Sequence, residues 1–294
     1  MIVRHGSRYR GAVPDHGRVP AFGWFLVPTV DDPLLATAQE ADRRGLDYLG
    51  IQDHPYQRRY VDTWVLMSMI AATTSRIRIF PDVTSLPLRP PAVLAKAAAS
   101  LDVLSGGRFE LGLGAGAFWA AIEGYGGPRR SPGEALAALA DAVEVIRLVW
   151  SGQRNLRYEG RHYRLAGAHS GPVPAHDIGI WLGVHGPRAI ELAGRVADGW
   201  IPSLQSDPAP LLDMAARLDE AAGLAGRDPG DIRRILNVHG DLTDRGRWVD
   251  ELTDLAVGPG FDTFVFWSDV PDQLAVYAEE VVPAVRAAVA AERA

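Results

Sequence analysis

The sequence predicts an α/β fold, a (β/α)8 TIM barrel with an inserted hairpin excursion before strand five. Three observations predict it. From Phe22 onward, short apolar runs alternate with longer helix-patterned stretches, the sign of repeated βα units. The apolar runs are near-continuous rather than alternating, as suits parallel strands buried on both faces. Eight such units follow one another without a linker, and a chain of 294 residues suits one barrel.

Taken in order, residues 1–21 carry Arg4, His5, Arg8, Arg10, His16 and Arg18 among Gly and Pro, and read as an N-terminal arm. The arm is mobile or packed along an edge, with a partner-binding basic tail as the alternative. Residues 22–294 are expected as a single barrel domain. The strands are expected at 22–27, 48–52, 77–83, 108–113, 178–184, 199–202, 232–238 and 263–267. Helices are expected at 33–44, 63–74, 91–104, 132–150, 187–196, 208–225, 245–256 and 271–293. Several open on proline (Pro33, Pro91, Pro132, Pro187), which the first helical turn favours because its N–H would lack a partner anyway. Ser105-Gly106-Gly107 closes the third helix, glycine taking the left-handed conformation there at little cost. Residues 151–177 stretch one repeat, and two alternating runs around Glu159-Gly160 read as a hairpin that decorates the barrel or meets a second subunit.

Composition narrows the function. Hydrophobic residues make up 47% of the chain and charged ones 22%, with a net charge of −6, which gives no electrostatic case for nucleic acid and favours a small-molecule substrate. No apolar run approaches the roughly 18 residues that span a bilayer, and no charged-then-apolar leader with a cleavage site opens the chain, so a cytoplasmic protein off the membrane is expected. Cysteine is absent, which excludes disulfides, thiolate nucleophiles and cysteine-ligated metals. A Schiff-base mechanism would have to use Lys96, the only lysine, in the middle of an alanine-rich helix.

Barrel enzymes build their sites at the carboxyl ends of the strands. That filter selects Asp53 and His54 after strand two; Asp82, Thr84 and Ser85 in and after strand three; and Gly114, Ala115 and Gly116 after strand four. It adds His185, Gly186 and Arg188 after strand five, His239 and Asp241 after strand seven, and Ser268 and Asp269 after strand eight. His54 is the acid/base candidate, since imidazole titrates near neutrality, although a histidine hydrogen-bonded at a barrel rim reads the same way. Histidines and aspartates at strand ends also raise a hydrolytic metal centre, but strand one offers no His-x-His pair, so no metal ligands are expected. The run Gly112-Leu113-Gly114-Ala115-Gly116 leaves strand four without bulk, which would let a planar ring approach the backbone. Its register breaks the dinucleotide fingerprint, because Trp119 stands where the last glycine would fall. Gly183-Val184-His185-Gly186-Pro187-Arg188 opens a helix whose free N–H groups and Arg188 suit a phosphate, or is simply a tight connection. Trp24, Phe80, Phe118, Trp119, Trp181, Trp200 and Trp267 suggest an aromatic pocket, some of them being ordinary core.

These residues resemble the luciferase-like monooxygenase superfamily, which holds flavin mononucleotide-dependent monooxygenases and coenzyme F420-dependent dehydrogenases and reductases. The resemblance runs from Phe22 to the C-terminus and rests on Asp53-His54-Pro55, the stretch Leu86-Pro87-Leu88-Arg89-Pro90-Pro91-Ala92-Val93-Leu94-Ala95-Lys96, the segment from Leu101-Asp102 to Gly116, and Ala197-Asp198-Gly199-Trp200. It implies a flavin or deazaflavin ring at the barrel mouth near Asp82, Val83, Thr84, Gly114, Ala115 and Gly116, and a phosphate near Gly183, Val184, His185, Gly186 and Arg188, with Trp200 also on the cofactor. It further implies a non-prolyl cis peptide at or next to Asp82-Val83 and gives Asp53 and His54 the ring-contacting and proton-handling positions. Coenzyme F420 is the expected cofactor, with hydride transfer to or from a small, largely apolar substrate, C=C or C=N reduction among the forms. The alternative is FMN with monooxygenation by reduced flavin and O2, and a non-catalytic binding barrel is a third reading. A homodimer is implied as well. Two departures stand out: Ala121 occupies the place of a glutamate common in the family, with Glu123 two residues beyond, and Val184 replaces a common second glycine.

Overall fold

Strands and helices alternate along the chain in a computed structural model that describes residues 16–204 and 209–294. In order they are β1 (Ala21–Leu26), α1 (Leu34–Arg43), β2 (Tyr48–Ile51), α2 (Thr63–Thr73), β3 (Arg78–Pro81), β4 (Thr84–Ser85) and α3 (Pro91–Ser105). Then come β5 (Leu111–Gly114), α4 (Trp119–Gly124), α5 (Pro132–Trp150), β6 (Leu156–Glu159), β7 (Arg164–Ala168), β8 (Ile180–Leu182) and α6 (Pro187–Val196). The chain ends with β9 (Gly199–Trp200), α7 (Ala209–Leu224), β10 (Arg233–His239), α8 (Arg245–Val257), β11 (Thr263–Trp267), α9 (Gln273–Val276) and α10 (Val282–Arg293). The expected arm over residues 1–15 and Pro208 of the sixth expected helix lie outside the described residues. Contacts divide the chain into two units, one comprising residues up to Phe25, Glu40–Leu49 and His185–Ala294, the other Leu26–Gln39 and Gly50–Val184.

In the first unit β1, β11, β10 and β9 run parallel, with Phe22 opposite Phe264, Trp24 opposite Phe266, and His239 opposite Trp267. Side chains alternate between the two faces of a strand. Phe22, Trp24, Phe264 and Phe266 therefore share one face, which the helices cover: Tyr277 lies 5.0 Å from Phe266, and Trp248 of α8 meets the same ring edge-on at 5.3 Å. The Tyr277 hydroxyl satisfies itself by donating to the Phe264 carbonyl at 3.0 Å. At the amino end of β10, the fully buried Arg234 donates to the Pro259 carbonyl and Asp219 and meets His16 Nε2 at 2.7 Å. Arg18 donates to the Gly230 carbonyl at 2.6 Å, and Arg293 to the Arg18 carbonyl at 2.6 Å. The described end of the arm is thus packed along an edge.

The second unit carries β3, β4, β5 and β8, with Thr84 opposite Leu113, Ser85 opposite Gly114, and Gly112 opposite Trp181. Helices α3 and α5 cover this sheet with Leu94, Ala98, Leu101, Leu139, Val143 and Ile146 buried. Gly106 ends α3 in the left-handed region at φ 73°, as the glycine pair predicts, and Ser131 with Glu134 forms a capping box on α5. The predicted hairpin is present as antiparallel β6 and β7, and Asp141 of α5 anchors it by accepting from the Tyr158 hydroxyl at 3.0 Å and the His162 amide at 2.6 Å.

Several elements differ from expectation: α4 (Trp119–Gly124) lies where no helix is expected, and strands five and six are shorter, at Ile180–Leu182 and Gly199–Trp200. Strand three is divided into β3 and β4 at a cis Asp82-Val83 peptide, the bond the family resemblance implies. Strand four starts at Leu111 rather than 108, since Arg108 spends its guanidinium capping the carbonyls of Ala71, Thr74, Ile77 and Ser105. The last helix, expected unbroken over 271–293, opens into a π turn at Tyr277–Val281 ahead of Pro283. A proline inside a helix lacks the N–H and crowds the carbonyl one turn back, and the wider turn relieves both.

Candidate active site

The site is assembled in the second unit around the loop that follows β2. Asp53, 1% exposed, accepts from Arg89 Nε at 3.2 Å and Nη2 at 3.1 Å and from the Ser85 amide at 3.1 Å. Arg89 Nη2 also reaches Asp62 at 2.9 Å, and Asp62 caps α2 through the Trp64 and Val65 amides. Desolvating a carboxylate is repaid only by such close, multiple donors. Asp53 thus commits both oxygens to Arg89 and the Ser85 amide, tying the β2 loop to β4.

Next to it, His54 is half-buried and its ring nitrogens make no hydrogen bond within the described chain. Its imidazole is held by rings instead: Tyr56 stacks on it at 5.4 Å and 19°, and Phe118 meets it edge-on at 5.7 Å. Burial lowers the imidazole pKa below its ordinary value, outweighing the upward pull of Asp53. The same burial, with Asp53, raises the Tyr56 phenol. The result is a neutral imidazole in an aromatic collar, its nitrogens without a hydrogen-bond partner among the described residues.

Val83 lies half-exposed on a floor of glycines. A Cβ at Gly114 would stand 2.7 Å from Val83 Cγ2 and one at Gly183 2.9 Å, while one at Gly112 would stand 2.0 Å from the Pro81 carbonyl oxygen. The glycines of strands four and five thus make room for Val83 and the bulged β3–β4 backbone, not directly for a ligand. What they present is a flat apolar surface, Val83, flanked by the half-exposed Ala115 and Gly116. That cradle fits one face of a fused aromatic ring system.

Other expected contacts fall elsewhere. Thr84 and Trp200 are buried at 0% exposure, Trp200 against Phe261 at 5.8 Å. Asp82 is buried, its carboxylate lying against Gly50, and Val184 is buried too. Phe80, Trp181 and Trp24 are core as well, whereas Phe118 is 58% exposed and Trp119 and Trp267 are half-exposed. Glu123 points to Arg129 in an exposed ion pair, so it does not supply the missing glutamate. Asp102 and Glu110, inside the matching segment, hold the 175–179 backbone: Asp102 accepts from the Ala175 amide at 2.7 Å and Glu110 from the Gly179 amide at 2.7 Å. In the first unit, His185, Gly186 and Arg188 are exposed at the start of α6, whose Gly186 cap makes no side-chain bond. Among the described residues no group of three or more histidine or acidic side chains is disposed to hold a metal ion. Sequence reasoning missed the structural role of Arg89, although its Leu-Arg-Pro-Pro stretch was visible, and missed Tyr56, which no spacing signals.

Comparison with known proteins agrees with this geometry. The model of the luciferase-like monooxygenase family matches residues 22–244. The F420-dependent hydroxymycolic acid dehydrogenase of Mycobacterium tuberculosis is 35% identical over 232 residues, covering 74% of this chain and 62% of that protein. The F420-dependent glucose-6-phosphate dehydrogenase of Nocardia farcinica is 31% identical over 215 residues, covering 70% and 63%. The matched region thus spans a little under two thirds of the length of these relatives. A solved F420-dependent secondary alcohol dehydrogenase, in complex with an F420-acetone adduct, superposes with a TM-score of 0.78 at 19% identity, over 90% of this chain and 99% of that one. A long-chain alkane monooxygenase superposes with a TM-score of 0.78 at 14% identity, over 91% of each chain. The fold is the (β/α)8 barrel of these enzymes, and the chain belongs to the luciferase-like monooxygenase family.

Proposed function

We propose that this protein is an oxidoreductase that transfers hydride between coenzyme F420 and a small, largely apolar organic substrate, with C=C or C=N reduction as the form to test first. The observation that carries it is the pairing, within one unit, of a cradle for a flat ring at Val83 with a neutral, unbonded imidazole at His54. The deazaflavin, when bound, supplies a carbon that gives or takes a hydride. The chain supplies the rest. Val83 backs the ring, and Ala115 and Gly116 border it. His54 handles the proton: its neutral imidazole takes the proton released when the substrate is oxidised, and in reduction the imidazolium, formed by taking a proton from solvent, gives it to the end of the double bond that does not gain the hydride. Asp53 keeps the His54 loop against β4 by accepting from the Ser85 amide, with Arg89 holding the same carboxylate.

Support for the cofactor comes from the F420-dependent relatives, and FMN with O2 is the second reading. Titration with each cofactor, read by tryptophan quenching, is expected to show micromolar binding of F420 and weaker binding of FMN. Reduced F420 should then lose its absorbance signature on addition of enones or imines. Turnover that requires reduced FMN and O2 would overturn the assignment.

No helix among the described residues is long and apolar enough to cross a membrane. We place the enzyme in the cytoplasm as a homodimer, the dimer resting on the largely apolar outer faces of α2 and α3, where Val65, Met69, Val93, Val103 and Leu104 are exposed beside the single charge of Lys96.

A further inference from the structure

On the sheet face of the first unit that the helices leave uncovered, three neighbouring strands end in rings. Phe25 on β1 and Trp267 at the end of β11 are partly exposed, and His239 at the end of β10 is exposed. Phe25 lies 6.0 Å from Trp267, and His239 lies 4.0 Å from Trp267 at 30° between planes. His239 stands opposite Trp267 in the strand register, so alternation puts them on the same face, opposite to the helix-covered Phe266 and Val238. These are carboxyl ends of parallel strands, the edge where α/β barrels bind their substrates.

The imidazole is also oriented. His239 Nε2 lies 3.1 Å from Asp269 Oδ2. A carboxylate only accepts, so Nε2 carries the hydrogen and Nδ1 is left as an acceptor, with no partner among the described residues. A base held in one tautomer by a carboxylate, beside two rings that offer a flat apolar surface, is more than exposed hydrophobic area. Nothing in the His54 chemistry uses it.

We propose that Phe25, Trp267 and His239 form a substrate shelf: the two rings take a planar, conjugated or aromatic body, and His239 Nδ1 accepts a hydrogen bond from a hydroxyl on it. The inference rests on the oxidoreductase reading only in calling the bound molecule a substrate. It narrows the substrate class to planar hydroxylated compounds. Asp269 serves as the positioning residue for His239.

Paired probes test it on the full chain. Naphthol and naphthalene share a ring body and differ by one hydroxyl, and binding of each is measured by calorimetry on the wild type, His239→Ala and Asp269→Asn, with circular dichroism confirming the fold. The wild type is expected to prefer naphthol by about tenfold, the worth of one good hydrogen bond. His239→Ala should erase that preference and leave naphthalene binding within about twofold, with Asp269→Asn reducing the preference by less. A Trp267→Leu variant should weaken both probes together. Equal affinity of the wild type for the two probes, or an undiminished preference in His239→Ala, would overturn the shelf. F420 titration of the same proteins separates the two readings: normal F420 binding without naphthol preference removes only the shelf, and naphthol preference without F420 binding removes only the hydride-transfer assignment.

Discussion

At the residue scale, the fate of a proton depends on how His54 is held. Its ring is oriented by Tyr56 and Phe118 rather than by a hydrogen bond, and burial keeps it neutral below the usual imidazole range. The sign follows from that lowering. In the direction where the substrate is oxidised, the imidazole must accept a proton, so kcat/KM should be constant above the depressed pKa and fall as pH drops through it. The acid limb should therefore lie below the pH at which free imidazole titrates, and pH profiles of the wild type check this. His54→Ala should lower kcat by about 10²–10⁴-fold, the usual worth of a positioned acid/base group, while F420 affinity stays within a few-fold. A wild-type acid limb unaltered in the variant would remove His54 from the mechanism. Asp53 would behave differently, because its oxygens are committed to Arg89 and the Ser85 amide, and its loss would loosen the loop rather than delete a proton step.

At the scale of elements, the glycine-rich exit of strand four shows what a sequence signal can mean before its partners are known. Gly112-Leu113-Gly114-Ala115-Gly116 was legible as backbone without bulk, and the cause lies on the neighbouring strands, where Pro81 and Val83 press into it. Gly112→Ala would bring Cβ to 2.0 Å from a carbonyl oxygen that cannot rotate away. Overpacking of this kind costs about 1–3 kcal/mol, so urea unfolding should show a loss in that range or above it. Gly186→Ala, at a position with φ −76° and nothing within 4 Å, should change stability by less than about 0.5 kcal/mol. Equal effects of the two substitutions would mean that the β3–β4 bulge yields and does not define the cradle. The helices were more legible than the strand ends because their signals are local: Pro132 with the Ser131–Glu134 box starts α5, and Gly106 ends α3. The enclosure of Trp200 and the break before Pro283 depend on what packs against them, namely Phe261 and the widened turn, which no local pattern carries.

For the whole molecule, the alternation of apolar runs and helices was enough to predict the barrel, since a repeated βα unit has few ways to bury its strands. The assembly is where the surface speaks. Helix α2 carries no charged residue, and the exposed side of α3 offers only Lys96 against Val93, Val103 and the 84% exposed Leu104. A helix apolar on all sides normally has neighbours on all sides. Large exposed apolar patches are uncommon on monomers, and two copies of a largely apolar face can meet while desolvating few ions. Light scattering coupled to size exclusion should therefore report a dimer at micromolar concentration. Met69→Glu, which places a carboxylate in the middle of that face, should shift the protein to monomer, raising the dissociation constant by at least about tenfold. Leu224→Glu, on a residue 83% exposed at the end of α7, is the matched control and should leave the dimer intact. Dissociation by the α7 variant but not by Met69→Glu would move the interface away from α2 and α3.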